Sequence, residues 1–322
     1  MLAHLDPTTC HSIAAGLLGG IDVDGGPTPE QRTVFDALAR HSLGLSDADL
    51  AGLTPIDAAT LAERLPDPAV RRRFHHLHVA LETCRHPQTP AQVRAVEEYA
   101  DALGTSSADR SILRALVDEG AERAAADYRR YVADALPRRS EPGLRTADLD
   151  PDAPEPELTS RLAAFADLDE GSLGRAYLAF YERNHLDLPG AERPLIDHFY
   201  VAHDMTHVIA GMGTTAAAEI ALSAFMVGMD GNDVNFSALV CSLMIHEAGV
   251  GVPTSIAHAE ENTLASPAAA DLLARELRRG SECTGDFSLV DHFALAPLPL
   301  AEVRARFGVR PPDDPDDGHH VW

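Results

Sequence analysis

The segment HFYVAHDMTHVIAGMGTTAAAEI, residues 198–220, places two histidines, an aspartate and a glutamate among Ala, Met, Ile and Thr. On a helix His203 and His207 lie one turn apart on the same side, with Asp204 beside them. Two imidazoles at this spacing next to a carboxylate can hold a divalent metal ion from a single helix. The pattern predicts a metal site, although a surface histidine pair with a capping aspartate would have the same letters.

Glu219 is the fourth candidate ligand. On an unbroken helix it would point about 120° away from His207. Gly211 and Gly213 favour a break in the helix between the two residues. A helix that ends near Gly211 and a second one that begins near Thr214 would let Glu219 return toward the histidines. A buried carboxylate without a partner is costly, so a cation is expected beside it.

The elements that position these residues are predicted to be helices, and we expect an all-α protein. The chain has 322 residues, of which 45% are hydrophobic and 5% aromatic, and runs of β-branched residues are scarce. Thr28 and Thr89 are each followed by proline and, three residues later, by glutamine, which is typical of an N-cap with a capping box. We predict helices near 29–42, 55–64, 68–85, 90–103 and 107–136.

Composition divides the chain into five predicted segments. A stretch rich in proline and acidic residues is interpreted as a linker, and a similar stretch at the end as a disordered tail. The segments are an N-terminal extension 1–26, a helical bundle 27–136, a linker 137–160, a helical metal-binding domain 161–309 and a tail 310–322. The apolar stretch 208–229 has Glu219 at its centre, so a buried helical pair fits it better than a membrane span.

The charge balance excludes several classes of function. The formal net charge is −24, from 50 acidic and 26 basic residues, and every basic residue is arginine. Without lysine this chain has no Schiff-base or P-loop lysine, and its acidic balance argues against wide binding to nucleic acid. The four cysteines are far apart, so neither a disulfide framework nor a thiolate zinc site is expected. No basic region precedes the weakly apolar N-terminal stretch, and we expect a cytoplasmic protein.

Two further histidine-containing segments are weaker candidates. The run RRRFHHLHVALETCRH lacks a carboxylate on the face of its histidines, so we interpret it as a solvated amphipathic helix rather than a metal site. MIHEAGVG has no second histidine four residues later and is interpreted as a packed helix end. The histidines and the acid in these segments are His75, His76, His78, His86, His246 and Glu247.

The motif H-D-x-x-H, followed by eleven residues and a glutamate, resembles the metal motif of the coenzyme Q biosynthesis Coq-four family. Upstream, GSLGRAYLAFYERN at 171–184 is similar to that family's G-(S/T)-L-G-R-x-Y-x-x-F segment. Downstream, PLAEVRARFGV at 299–309 resembles its closing helix. The chain departs from the family at Ala218, where glycine is usual, and at Tyr200, where arginine is frequent. It also has SLVDHFALAP in place of the late aromatic and acidic segment.

The resemblance implies an all-α, lipid-associated protein with a divalent metal beside a long apolar channel. In the family this goes with isoprenoid quinone biosynthesis, in which a polyprenylated hydroxybenzoate loses its carboxylate at C1 and gains oxygen there. His203 and His207 would be neutral nitrogen ligands and Glu219 a carboxylate ligand, and Asp204 either a ligand or a catalytic base. The metal is expected to be zinc, with iron as the alternative.

Substrate and partners follow from the same resemblance. Arg175 and Tyr177, after a predicted N-cap at Ser172, and Tyr200 are the expected contacts of an anionic or phenolic head group. A structural salt bridge is the alternative for Arg175. The expected ligand is a prenylated aromatic or polyprenyl lipid, and we expect a homo-oligomer, with association at a membrane surface or in a multi-enzyme complex left open. The N-terminal bundle has a fainter likeness to tellurite-resistance TerB-like helical domains.

Two classes of function remain from the sequence. One is a metal-dependent enzyme of quinone or related specialised metabolism, a lyase or oxidative decarboxylase. The other is a non-catalytic lipid-binding scaffold in which the metal is structural. The presence of all four motif residues favours the enzyme. It does not exclude the scaffold, because a structural metal needs the same ligands.

Overall fold

The computed structural model describes residues 5–105, 121–144, 150, 153–192, 194–249 and 261–322. These residues form fifteen α-helices and no β-strand, which confirms the predicted all-α fold class. The helices are α1 Pro7–Ile21, α2 Pro29–Ala37, α3 Asp47–Ala51, α4 Ala58–Arg64, α5 Pro68–Thr83, α6 Pro90–Leu103, α7 Ala121–Arg139, α8 Pro156–Ala163, α9 Leu173–Arg183, α10 Pro194–Ala210, α11 Ala216–Met229, α12 Asp233–His246, α13 Pro267–Ser281, α14 His292–Leu295 and α15 Leu300–Phe307.

The chain forms two compact units, and each is made of two separate stretches of sequence. The first unit is Met1–Val132 with Glu219–Ser281, and the second is Ala133–Ala218 with Glu282–Trp322. This division differs from the predicted one, because α12, α13 and the part of α11 from Glu219 onward belong to the unit that contains the N-terminal helices. Whether 161–309 folds as a separate domain remains a prediction.

Helix α1 lies in the segment that we predicted to be an N-terminal extension. Asp6 caps it by accepting hydrogen bonds from two backbone amides, and Ile13 and Leu17 are fully buried. Gly16 leaves no room for a side chain, since a Cβ there would lie 2.7 Å from Leu61 Cδ2. The segment is therefore part of the core of the first unit, and its small residues allow close helix packing.

The predicted helix starts at 29, 55, 68 and 90 lie within the described residues, whereas the predicted start at 107 lies outside them. The capping box at Thr28 is present, with Gln31 N 3.1 Å from Thr28 Oγ1 and the Gln31 side chain bonded back to Thr28 N. Thr89 also caps its helix, but the Gln92 amide turns inward and donates to Gly20 O at 2.9 Å. The predicted helix 55–64 begins later, at Ala58, because the Asp57 carboxylate provides the cap.

Helix α5 corrects the interpretation of the RRRFHHLHVALETCRH run as a solvated helix. His75, His76 and His78 are all buried. The His76 ring stacks on Phe236 at 3.9 Å between centroids, and His78 meets Tyr99 edge-on at 5.2 Å. Burial lowers the pKa of His78 to about 3, so this imidazole packs as a neutral aromatic ring. The run is therefore a buried helix, although many of its residues are polar.

In the second unit, the predicted linker 137–160 makes buried contacts. Helix α7 continues to Arg139, and Glu141 is fully buried with its Oε2 2.7 Å from His292 Nδ1. His292 Nε2 lies 2.9 Å from the Phe287 carbonyl oxygen, so both ring nitrogens have partners. In its described residues the segment therefore differs from the predicted linker, because this buried hydrogen-bonded pair fixes Glu141 within the unit.

The last residues also differ from the predicted disordered tail. Gly213 N donates to His319 O at 2.7 Å, and Val321 N donates to Gly211 O at 2.9 Å. The Arg304 guanidinium lies 3.6 Å from the Trp322 ring centroid. These contacts hold residues 310–322 against the turn that follows α10. Among the described residues, no helix combines the length and the apolarity needed to cross a membrane.

Candidate metal centre

Helix α10 brings His203, Asp204 and His207 together as predicted. One ligand atom from each of the three side chains lies within 4.8 Å of the others. The two Nε2 atoms are 3.1 Å apart, and the imidazole rings are nearly perpendicular, with centroids separated by 4.6 Å. Asp204 and His207 are buried, and His203 is partly exposed. Three potential donors therefore converge on one point at the side of a single helix.

The helix break that the sequence predicted is present. Helix α10 ends at Ala210, and Gly211 follows with a φ of +72°, in the left-handed region that favours glycine. Met212 N donates to His207 O at 2.9 Å, which closes the last turn of the helix. The next helix is capped by Thr215, whose Oγ1 accepts from Ala218 N at 3.2 Å. One helix therefore ends directly after the motif, and the next begins at Ala216.

Glu219 lies in the first turn of α11 and is half-buried. The division into units falls between Ala218 and Glu219, so this glutamate belongs to the first unit and the three residues of α10 to the second. Its role as a fourth ligand remains a prediction.

Helix α9 adds a residue that the sequence reasoning missed. The Tyr181 hydroxyl donates a short hydrogen bond to Asp204 Oδ2. Burial and the Asp204 charge raise the pKa of Tyr181 far above its ordinary value, so its hydroxyl remains protonated and a donor. Tyr177 and Tyr181 are four residues apart, like His203 and His207. Because of this shared spacing, Tyr181 could have been predicted to lie near the motif.

Aromatic rings enclose the two histidines. The Phe199 ring stacks on His203 at 5.1 Å with an interplanar angle of 19°, and Phe180 lies 5.5 Å from His207. The Arg139 guanidinium lies 4.6 Å from the Phe199 centroid. These contacts restrict the rotamers of both imidazoles and surround the donors with apolar atoms, which strengthens electrostatic interactions at the site.

The predicted substrate contacts have different environments. Tyr177 is fully buried, with its ring 4.7 Å from that of Tyr181. Arg175 is partly exposed, and its Nη1 donates to Ala166 O at 2.8 Å, so the side chain makes a backbone hydrogen bond rather than the alternative salt bridge. Tyr200 is half-buried on α10, one turn before Asp204. Ser172 caps α9 as predicted, accepting from Arg175 N at 3.3 Å.

The three donors fit a divalent transition metal. Two imidazole nitrogens and one carboxylate oxygen form a donor set that suits zinc or iron(II), whereas magnesium and calcium prefer oxygen ligands. The Nε2 atoms of His203 and His207 face each other, and two unprotonated nitrogens at that distance would repel unless a proton or a cation lay between them. The arrangement is therefore compatible with the predicted metal.

Comparisons with known proteins leave the chain without an assigned family. No protein-family model and no curated protein matches it. Among solved structures it is similar to a protein from Nostoc punctiforme that is described provisionally as a ubiquinone biosynthesis protein. The similarity covers 75% of this chain and 98% of that one, at 18% identity and a TM-score of 0.34. A TM-score this low gives no information about the site.

Proposed function

We propose that the chain is a metal-dependent enzyme that acts on an aromatic acid with an apolar substituent, in isoprenoid quinone biosynthesis or related metabolism. The observation that carries this proposal is the convergence of His203, Asp204 and His207 within 4.8 Å on one helix. The motif and its flanking segments, which resemble the Coq-four family, support the choice of substrate class.

His203 and His207 would hold the metal through neutral nitrogens, with a carboxylate oxygen of Asp204 or Glu219 completing the set. When bound, zinc or iron(II) would supply positive charge that favours a phenolate or carboxylate group of the substrate. Tyr181 donates to Oδ2 of Asp204 and so fixes the orientation of that carboxylate. The Asp204 carboxylate is the group of the motif that could hold or transfer a proton.

The proposed reaction removes the carboxylate group from the aromatic ring of the substrate. The bond between the ring carbon and the carboxylate breaks, carbon dioxide leaves, and the electron pair that remains on the ring carbon takes up a proton. In the oxidative form, dioxygen and a two-electron reductant are co-reactants: one oxygen atom replaces the carboxylate as a hydroxyl group, carbon dioxide leaves, and the other oxygen atom is released as water. Asp204 is the group of α10 suited to handle the proton, because its burial limits competition from bulk water.

The scaffold function is the second candidate, and one observation favours it. Asp204 is 6% exposed and His207 is 1% exposed, so a substrate would reach a metal held by them less readily than it reaches the open coordination position of a catalytic site. In that case the metal would stabilise the second unit, and the protein would present a lipid to other enzymes without turning it over.

Metal analysis combined with a turnover assay tests the proposal. We expect about one zinc or iron ion bound at this site, lost in His203→Ala and His207→Ala, together with decarboxylation of a prenylated hydroxybenzoate by the wild-type protein alone. His185→Asn is the matched control, since His185 is an exposed histidine of the same unit with a φ of +55° that asparagine tolerates. Equal metal content in all four proteins would exclude the site. Bound metal without turnover would favour the scaffold.

A further inference from the structure

Three other potential ligands meet within the first unit. They are Glu30 in the first turn of α2, His86 just after α5 and Glu247 at the end of α12. One ligand atom from each lies within 4.8 Å of the other two. His86 Nε2 is 3.0 Å from Glu247 Oε1 and 3.8 Å from Glu30 Oε2. None of the three belongs to the motif on α10.

Both carboxylates are removed from solvent. The Glu247 side chain is 0% exposed and that of Glu30 is 12% exposed. Glu247 Oε2 accepts from Leu264 N at 2.8 Å, which leaves Oε1 for His86. Glu30 Oε1 is fully buried and has no hydrogen-bond partner in the part of the chain that the structure describes. Such an oxygen is costly to bury unless something binds it.

The charges of the three side chains do not balance. Within the described residues neither glutamate forms an ion pair with an arginine, and the nearby Arg85 donates instead to Gly26 O and Gln31 Oε1. With both carboxylates ionised, the group has a net charge of −1 when His86 is protonated and −2 when His86 is neutral. A divalent cation would neutralise two carboxylates and a neutral imidazole together.

A shared proton is the rival explanation. Burial, followed by the hydrogen bond and charge of Glu247, raises the pKa of Glu30 to about 8. The hydrogen bond to Glu247 raises the pKa of His86. At neutral pH a protonated Glu30 beside a charged His86 would relieve the repulsion without a metal. The two explanations differ in what occupies the space between the oxygens, and metal binding can distinguish them.

We propose that Glu30, His86 and Glu247 form a second divalent-metal site, separate from the candidate centre on α10. One nitrogen and two carboxylate oxygens suit Zn²⁺, Mn²⁺ or Fe²⁺. Its role is structural, because it joins the start of α2 to the ends of α5 and α12, which are far apart in sequence. The proposal does not depend on the proposed function, since it involves none of the motif residues.

Zinc binding by the full-length chain tests the second site. The background is the double variant His203→Ala/His207→Ala, which removes the α10 donors. After chelation and dialysis it is titrated with Zn²⁺, and bound zinc is measured by elemental analysis. We expect about one zinc per chain in this background. Adding Glu30→Gln or His86→Gln should weaken binding at least about 100-fold, since loss of one ligand exceeds the usual cost of losing a supporting contact.

Matched controls separate ligand loss from general effects. Glu63→Gln removes an exposed glutamate of the same unit, and His41→Gln removes a partly exposed histidine; both should leave zinc binding unchanged. Equal binding in all variants, or no zinc in the double variant, would overturn the second site. If wild type loses zinc on His86→Gln but not on His203→Ala, the second site stands and the α10 centre fails.

Thermal unfolding gives a second readout in the same double variant. If the site binds metal, Zn²⁺ raises the unfolding midpoint, and the rise disappears in Glu30→Gln. If a proton is shared, Zn²⁺ has no effect, and Glu30→Gln leaves the metal-free midpoint unchanged or raises it. Far-UV circular dichroism shows whether each variant is folded, and either folded variant, Glu30→Gln or His86→Gln, is sufficient to decide.

Discussion

The two candidate metal sites are assembled in opposite ways. His203, Asp204 and His207 come from five consecutive residues of one helix, whereas Glu30, His86 and Glu247 come from three distant segments. Helical periodicity alone brings the first set together. Only the packing of the first unit brings the second set together. A local motif can be read from a sequence, and a site built by tertiary contacts cannot.

The histidines of α5 and α10 differ in a similar way. His76 and His78 are buried against aromatic rings and pack as neutral rings. His203 and His207 instead direct their Nε2 atoms toward each other beside a carboxylate. Burial of a histidine is therefore no guide to metal binding. Two donor atoms that face one another are the more specific signal.

The largest expected effect concerns a fragment that keeps the local motif and lacks helices α2 and α5. Residues 155–322 retain His203, Asp204, His207 and Glu219 but lack the partners of α11 to α13. Ser42 Oγ donates to Ala274 O at 2.8 Å, and the Arg73 guanidinium donates to Val227 O. Without the N-terminal helices, the apolar side chains of α11 to α13 that are buried in the full chain would be exposed. We therefore expect the fragment to aggregate on expression, which size-exclusion chromatography measures.

Co-expression with residues 1–154 is the control for the fragment, and it should restore solubility. A fragment that is monomeric, helical and metal-loaded by itself would show that the motif lies in an independent domain 161–309, as the sequence suggested. The α10 site would then be independent of the N-terminal helices in its folding as well as in its ligand residues.

The second prediction concerns Asp204. Asp204→Asn is nearly isosteric and can still accept from Tyr181, so the metal and the fold should be retained if the other ligands suffice. Loss of the base should reduce single-turnover decarboxylation by a factor of about 10² or more. Elemental analysis is made on the same samples. Full activity with full metal content would remove the catalytic role, and loss of metal would make Asp204 a required ligand.

Sequence patterns predicted the features that depend on neighbouring residues. The capping box at Thr28, the cap at Ser172 and the helix break at Gly211 are all present. The core role of α1 was missed because its small residues give a weak apolar pattern. The Glu141 pair and the proposed second site were missed because their members come from distant segments: Glu141 and His292 are 151 residues apart, and His86 and Glu247 are 161 residues apart. A weak local pattern accounts for the first of these misses, and distance along the chain accounts for the other two.

The third prediction uses the neutral histidine of α5. The pKa of His78 falls from an unfolded value near 6.5 to about 3 in the folded protein, so only the unfolded state takes up this proton as the pH falls through 6.5. Stability therefore decreases toward acid, by about 2 kcal/mol between pH 8 and pH 5 from this group alone. Urea unfolding at both pH values, with chelator present, measures the difference.

His78→Gln should remove that part of the pH dependence, whatever its effect on stability at pH 8. His11→Gln, at an exposed histidine of α1, is the matched control and should keep the wild-type difference. An unchanged pH difference in His78→Gln would mean that His78 is protonated in the folded state. The distinction between a neutral, packed His78 and the histidines of α10 would then no longer hold.

The smallest expected effect concerns Tyr181, the residue that links α9 to the motif. Tyr181→Phe keeps the ring packing but removes the hydroxyl that donates to Asp204 Oδ2. The free energy of unfolding of the metal-free protein should fall by about 1–3 kcal/mol, since a buried carboxylate loses a donor. In the metal-loaded protein the reduction should be smaller if Asp204 is a ligand, because the cation replaces the lost donor. Tyr177→Phe is the matched control on the same helix, and it leaves the Asp204 hydrogen bond in place. Urea unfolding of the three proteins with and without Zn²⁺ makes the comparison, and a Tyr181→Phe variant that is equally destabilised in both conditions would place Asp204 outside the ligand set.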